Sequence, residues 1–269
     1  METLIAHRAS VEVKAIGGTT PLFWTIDEGR LDALNFLLQH RAQVSATDDE
    51  GHTPLHFAAV SLRKEIVEAL IVGGANVNAR DHENSTPVAA NIGFGGGHPL
   101  VMLHAIYALT DFDPKVWPDP SPHADYERAQ RDVLEMLLAH HADVEARDQR
   151  GWTPLHLAAH NHRKDIVKLL LEWHADPNAR AKYRGYSGWC SGGTPLHLAL
   201  ITAGEDGTTK EDRNETLRLL LGHHADPNAR DEKGQTPLDL PAAMPWRNHD
   251  EIEQIFRTEA AAGGKANAQ

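Results

Sequence analysis

Eighteen histidines among 269 residues are the first feature that could carry chemistry, because imidazole ligates zinc and moves protons near neutral pH. His98, His104, Asp111, Asp113, His123 and Asp125 gather in one segment, a donor set of the kind that builds a metal or acid–base centre. His40, His140, His174 and His223 recur along the chain and read as equivalent positions of a repeating unit. His56, His156 and His197 each stand three residues after a threonine. The single thiol, Cys190, has no histidine beside it in sequence and reads as inert. No nucleophile elbow, phosphate-binding loop, HExxH pair or paired-cysteine motif is present.

The elements that must hold these residues repeat. Thr-Pro dipeptides begin at Thr20, Thr53, Thr86, Thr153, Thr194 and Thr236, the first two intervals being 33 residues. Thr caps a helix and Pro suits its first position, so each dipeptide predicts a helix start. Two residues earlier stands Gly18, Gly51, Asn84, Gly151, Gly192 or Gly234, types that tolerate a positive φ. Downstream, apolar pairs at Leu37, Leu70, Leu137, Leu170 and Leu220 close a second amphipathic stretch, and turns follow at Ala42, Ala75, Ala142, Ala175 and Ala225. The unit is helix, turn, helix, extended loop. In this frame His40, His140, His174 and His223 lie about 8–10 Å apart, the spacing of packed helices, too far to share one zinc ion.

Irregular intervals locate three insertions, at 93–126, 181–193 and 202–214. The second enlarges one loop with Tyr183, Arg184, Tyr186 and Trp189, and the others fall between the two helices of their units. In the first, 99–109 reads as an added helix and Asp125 to Leu138 as one long helix. Residues 1–16 match the second half of a unit, so the array spans 1–258, and 259–269 reads as a small, polar, disordered tail.

The Thr53 to Ala58, Thr153 to Ala158 and Thr194 to Ala199 segments, with the closing Gly74 to Asp81, resemble the ankyrin repeat. That resemblance implies an all-α solenoid of helix-turn-helix units with protruding, hairpin-like finger loops. It gives His56, His156 and His197 a structural task, hydrogen bonding the Thr hydroxyl and neighbouring loops. The family usually has Gly before the loop Ala, where this chain carries Arg41, Gly74, His141, His174 or His224.

The resemblance also implies a protein-binding scaffold or adaptor, not an enzyme, with no cofactor and no metal. The exposed finger positions are Asp49, Glu50, His52, Glu83, Gln149, Arg150, Trp152 and Lys233, and the inner helices offer Asp27, Glu28, His160 and Asn161. Trp152, Arg150 and the Tyr183, Arg184, Tyr186, Trp189 loop supply aromatic and Arg anchors, unless Trp152 packs on the next finger instead. Asp27, Glu28, Asp49, Glu50 and Glu83 make the first half acidic and point to a basic protein or peptide partner. Protonating all 18 histidines would carry the net charge from −12 to +6, so such binding is expected to weaken near pH 5. Alternatives are an enzyme or metal site on the 93–126 insertion and a structural fragment of a larger protein.

Composition fits this reading. The net charge of −12 disfavours nucleic acid as a general partner, and no apolar run reaches the roughly 18 residues of a membrane span. One Cys forms no internal disulfide, and Met1 to Ser10 lacks the order of a secretory signal. The expectation is a cytoplasmic monomer.

Overall fold

The computed structural model describes residues 7, 9–93, 123–182, 191–201, 209–242 and 249–266, and among them every regular element is a helix. These are α1 (Pro21–Asp27), α2 (Leu31–Gln39), α3 (Pro54–Val60), α4 (Lys64–Val72), α5 (Pro87–Gly93), α6 (His123–Ala139), α7 (Pro154–His160), α8 (Lys164–Glu172), α9 (Pro195–Leu198), α10 (Lys210–Gly222), α11 (Asp239–Ala242) and α12 (His249–Ala266). The chain forms two compact units, Met1–Asp143 and Val144–Gln269. In the first, α1, α3 and α5 pack as one row and α2, α4 and α6 as a second. In the second, α7 packs on α9, and α8, α10 and α12 follow one another.

Five helices begin at a Thr-Pro proline, after Thr20, Thr53, Thr86, Thr153 and Thr194. Leu22, Leu55, Val88, Leu155 and Leu196, two residues after those threonines, are fully buried. Leu70, Leu137, Leu170 and Leu220 of the second helices are as well. Each such side chain contributes about 1.5–3 kcal/mol by leaving water, so each pair of helices is held chiefly by its neighbours.

The second helices end in one way. Ala42, Ala75, Ala142, Ala175 and Ala225 donate their N–H to the carbonyls of Leu37, Leu70, Leu137, Leu170 and Leu220 at 2.9–3.0 Å. The preceding residues, Arg41, Gly74, His141, His174 and His224, lie at φ 64, 92, 66, 64 and 68°. This is the left-handed termination that favours glycine, made here mostly by other residues. It also corrects the register of one histidine: His40 and His223 are C-caps, whereas His174 lies one residue further on, in the strained position. The same termination recurs between the two helices of a unit, with Gly29, Leu62 and His162 at φ 67, 55 and 52°, which the sequence pattern does not foretell.

The long helix expected over 125–138 is α6. Helix α10 has 13 residues against nine in α8, so part of the 202–214 insertion lengthens a helix. Helix α12 extends through Ala266, where the sequence reading expects disorder from 259. The run Glu259-Ala260-Ala261-Ala262 is made of strong helix formers and carries the helix onward. Residues 94–122, 183–190, 202–208 and 243–248 lie outside the described set, and with them the expected 99–109 helix and the aromatic loop.

Candidate functional site

Four of the fingers are tight turns built on an aspartate. Asp48 Oδ1 accepts the N–H of Glu50 and His52 at 3.0 and 2.8 Å, Asp81 Oδ1 those of Glu83 and Ser85, both at 2.8 Å, and Asp148 Oδ1 those of Arg150 and Trp152 at 2.8 and 2.9 Å. Asp231 does the same for Lys233 and Gln235. One carboxylate oxygen thus organises the turn that ends in the positive-φ Gly51, Asn84, Gly151 or Gly234. The sequence reading passes over these aspartates, although the D-x-x-G spacing of Asp48, Asp148 and Asp231 was a legible signal.

Three finger glycines serve a second purpose. A Cβ at Gly18 would come within 2.8 Å of the Asp49 nitrogen, one at Gly51 within 3.0 Å of the His82 nitrogen, and one at Gly151 within 2.6 Å of the Lys182 nitrogen. Successive fingers therefore approach backbone to backbone, with Asp49 N–H donating to Gly17 O, His82 N–H to Glu50 O and Glu232 N–H to Ser191 O at 2.8–3.0 Å.

The three signature histidines close capping boxes. His56, His156 and His197 accept at Nδ1 the backbone N–H of Thr53, Thr153 and Thr194 at 3.1–3.2 Å and the Thr hydroxyl at 2.8–2.9 Å. Nδ1 being an acceptor, the proton sits on Nε2, which donates to the carbonyls of Ser85, Gly193 and Gln235 in the next finger at 3.1–3.3 Å. Burial disfavours the imidazolium and lowers all three pKa values, that of His156 to about 4. The structural task implied by the resemblance is the one these rings perform. In the last repeat Asp239 takes the slot and caps Thr236 through its carboxylate.

His52 behaves oppositely. Its Nδ1 lies 3.0 Å from Asp48 Oδ2 and its Nε2 3.4 Å from Asp81 Oδ2. Burial works against its protonation, but hydrogen bonds to the two carboxylates outweigh that and raise its pKa to about 9. It is a largely buried imidazolium, not an open finger tip. Around it Asp49, Glu50 and Glu83 are exposed; Glu28, the C-cap of α1, is exposed as well, while Asp27 is half-buried.

In the second unit Arg150 donates from Nε to Asp148 Oδ2 at 2.8 Å and lays its guanidinium 4.3 Å from the Trp152 ring centre. Trp152 lies against His160 at 5.1 Å and packs on Leu198 and Leu240, so it is half-buried against the two following repeats. Arg150, His160 and Asn161 are half-buried too, whereas Gln149 and Lys233 are exposed. The structure thus brings Arg150, Trp152 and His160 together. Tyr183, Arg184, Tyr186, Trp189 and Cys190 fall outside the described residues, as do His98, His104, Asp111 and Asp113. Among the described residues no group of three or more His, Cys, Asp or Glu is placed to hold a metal ion, and no helix is long and apolar enough to cross a membrane.

Comparison with known proteins agrees with this geometry. The family model described as ankyrin repeats (3 copies) matches residues 1–81 and 124–231. A solved ankyrin repeat domain from Acinetobacter baumannii superposes with a TM-score of 0.63 at 22% identity, over 89% of this chain and 97% of that one, a likeness of fold. No curated protein matches the sequence. With its capping boxes, finger turns and paired helices matched over most of its length, the chain belongs to the ankyrin repeat family.

Proposed function

We propose that the chain is a scaffold or adaptor that holds a basic segment of a partner protein against the fingers of its first unit, working as a cytoplasmic monomer without cofactor or metal. Ankyrin repeats are in general protein–protein interaction modules. The observation that carries the finer reading is the distribution of charge. Residues 1–143 contain 10 Lys and Arg against 20 Asp and Glu, a net −10 of the chain's −12, while residues 144–269 contain 16 against 18. On the second and third fingers of that acidic unit Asp48 and Asp81 are paired to His52, which leaves Asp49, Glu50 and Glu83 as the finger carboxylates facing solvent, while Glu28, Asp32, Glu65 and Glu68 are exposed elsewhere in the unit. A field of this sign speeds the encounter with cations and makes affinity sensitive to salt. In the second unit the Arg150, Trp152 and His160 stack is a smaller candidate anchor, its ring already fixed by packing.

The test uses the full chain and a fluorescent deca-arginine peptide, whose charge does not titrate. Affinity should fall at least tenfold when Asp49, Glu50 and Glu83 are all changed to Lys, and should fall steeply between about 50 and 300 mM salt. The Lys233→Glu variant should bind like the parent. Equal binding by the triple variant, or affinity indifferent to salt, would sink the reading.

A further inference from the structure

We infer that His52 is a positioning residue, a clasp that ties the second finger to the third and so sets the spacing of the carboxylates Asp49, Glu50 and Glu83. The inference deepens the proposed function and rests on it for its consequence in binding. Its basis is a contact that spans a junction lacking the tie seen at three others. Four residues before the finger glycine or asparagine, the chain carries Lys14, Thr47, Arg80, Arg147 and Arg230, and Arg180 occupies the same place in the enlarged finger. At three finger junctions a long basic residue in that place reaches the carbonyl of its counterpart one finger on, whereas Arg80 Nη1 donates to Asn84 O of its own finger at 3.1 Å. Lys14 Nζ donates to Thr47 O at 3.2 Å, Arg147 Nη1 to Arg180 O at 2.7 Å and Arg180 Nη2 to Arg230 O at 2.5 Å. Thr47 is too short to reach Arg80 O across the same span. At that junction the imidazole of His52 joins Asp48 of its own finger to Asp81 of the next, 3.0 and 3.4 Å away. Only a ring protonated on both nitrogens donates to two carboxylates at once.

Every charged or titratable neighbour of the ring is consistent with this task. Asp48 and Asp81 are buried save for a few per cent and point their second oxygens at it. His56 lies with its ring centre 5.9 Å away and is kept neutral by burial, so it does not compete for the carboxylates. Phe57 covers another side at 6.0 Å. His82, against the back of Gly51, joins through its backbone N–H to Glu50 O at 3.0 Å. The clasp and this hydrogen bond together hold the second and third finger tips side by side.

The sign of one substitution separates positioning from simple charge. His52→Gln removes a cation from an acidic surface, so by Coulomb attraction alone deca-arginine should bind more tightly. If His52 positions the tips, the variant binds about tenfold more weakly. Adding Thr47→Arg, which supplies the tie used at three other junctions, then restores affinity to within about threefold. Equal or tighter binding by His52→Gln overturns the inference, as does failure of Thr47→Arg to restore it. Should the parent chain itself ignore deca-arginine, the basic-partner reading falls, and the clasp is judged separately by amide exchange. His82 N–H should then exchange at least tenfold faster in His52→Gln and return toward the parent rate with Thr47→Arg, and an unchanged rate overturns it.

Discussion

At the scale of single residues, strain and protonation are what distinguish this chain. His141, His174 and His224 occupy a left-handed conformation that costs a residue with a Cβ roughly 1–2 kcal/mol. All three are exposed, so glycine there loses little packing. Each His→Gly change should raise unfolding free energy by about 1 kcal/mol, less the entropy glycine adds to the unfolded chain, as read by urea denaturation. Protonation acts in two directions. His156 is neutral in the fold, with a pKa near 4 against 6.5 when unfolded. The unfolded chain therefore binds the extra proton, and stability falls as pH drops from about 6.5 toward 4, by on the order of 3 kcal/mol for this residue. His56 and His197 add to that loss. His52, raised to about 9, contributes stability that is complete below about 6.5 and disappears as pH rises through 9. Urea unfolding across pH 4.5 to 9.5 should thus show decline on both sides, and His52→Gln should flatten only the alkaline one.

At the scale of elements, the rules are local where the sequence speaks and tertiary where it is silent. Thr153, Pro154 and His156 announce their helix because cap, φ and hydrogen-bond partner all lie within four residues. Thr153→Ala should cost about 1–2 kcal/mol by opening that capping box, measured by thermal or urea unfolding. The burial of Leu170 is equally legible from its place in an apolar pair, and Leu170→Ala should cost about 2–5 kcal/mol. The positive φ at Leu62 and His162 is hidden because neither residue type advertises it, and its counterpart Gly29 alone makes no pattern. Trp152 has the sequence position of a finger tip, yet its burial depends on Leu198 and Leu240, more than 40 residues away. The His52 contact with Asp81 is concealed likewise, since nothing within one unit tells which carboxylate the next will present.

On the scale of the whole molecule, charge and stacking obey different ranges. Among the described residues the main helix contacts in each unit are between neighbours in the series, so damage should stay local. Leu70→Ala is expected to speed amide exchange in α2, α4 and α6 well before it affects α8, a gradient that exchange mass spectrometry resolves. The charge swing expected on acidification is smaller than a count of histidines implies, because His56, His156 and His197 resist protonation while folded and His52 already carries its proton at neutral pH. The capping rings have one more consequence. With Nδ1 taken by a threonine and Nε2 by the following finger, neither nitrogen of His56, His156 or His197 is open to an acylating reagent. Carbethoxylation of these three should therefore wait for the junction between adjacent repeats to part, which makes them built-in clocks for the opening of each seam.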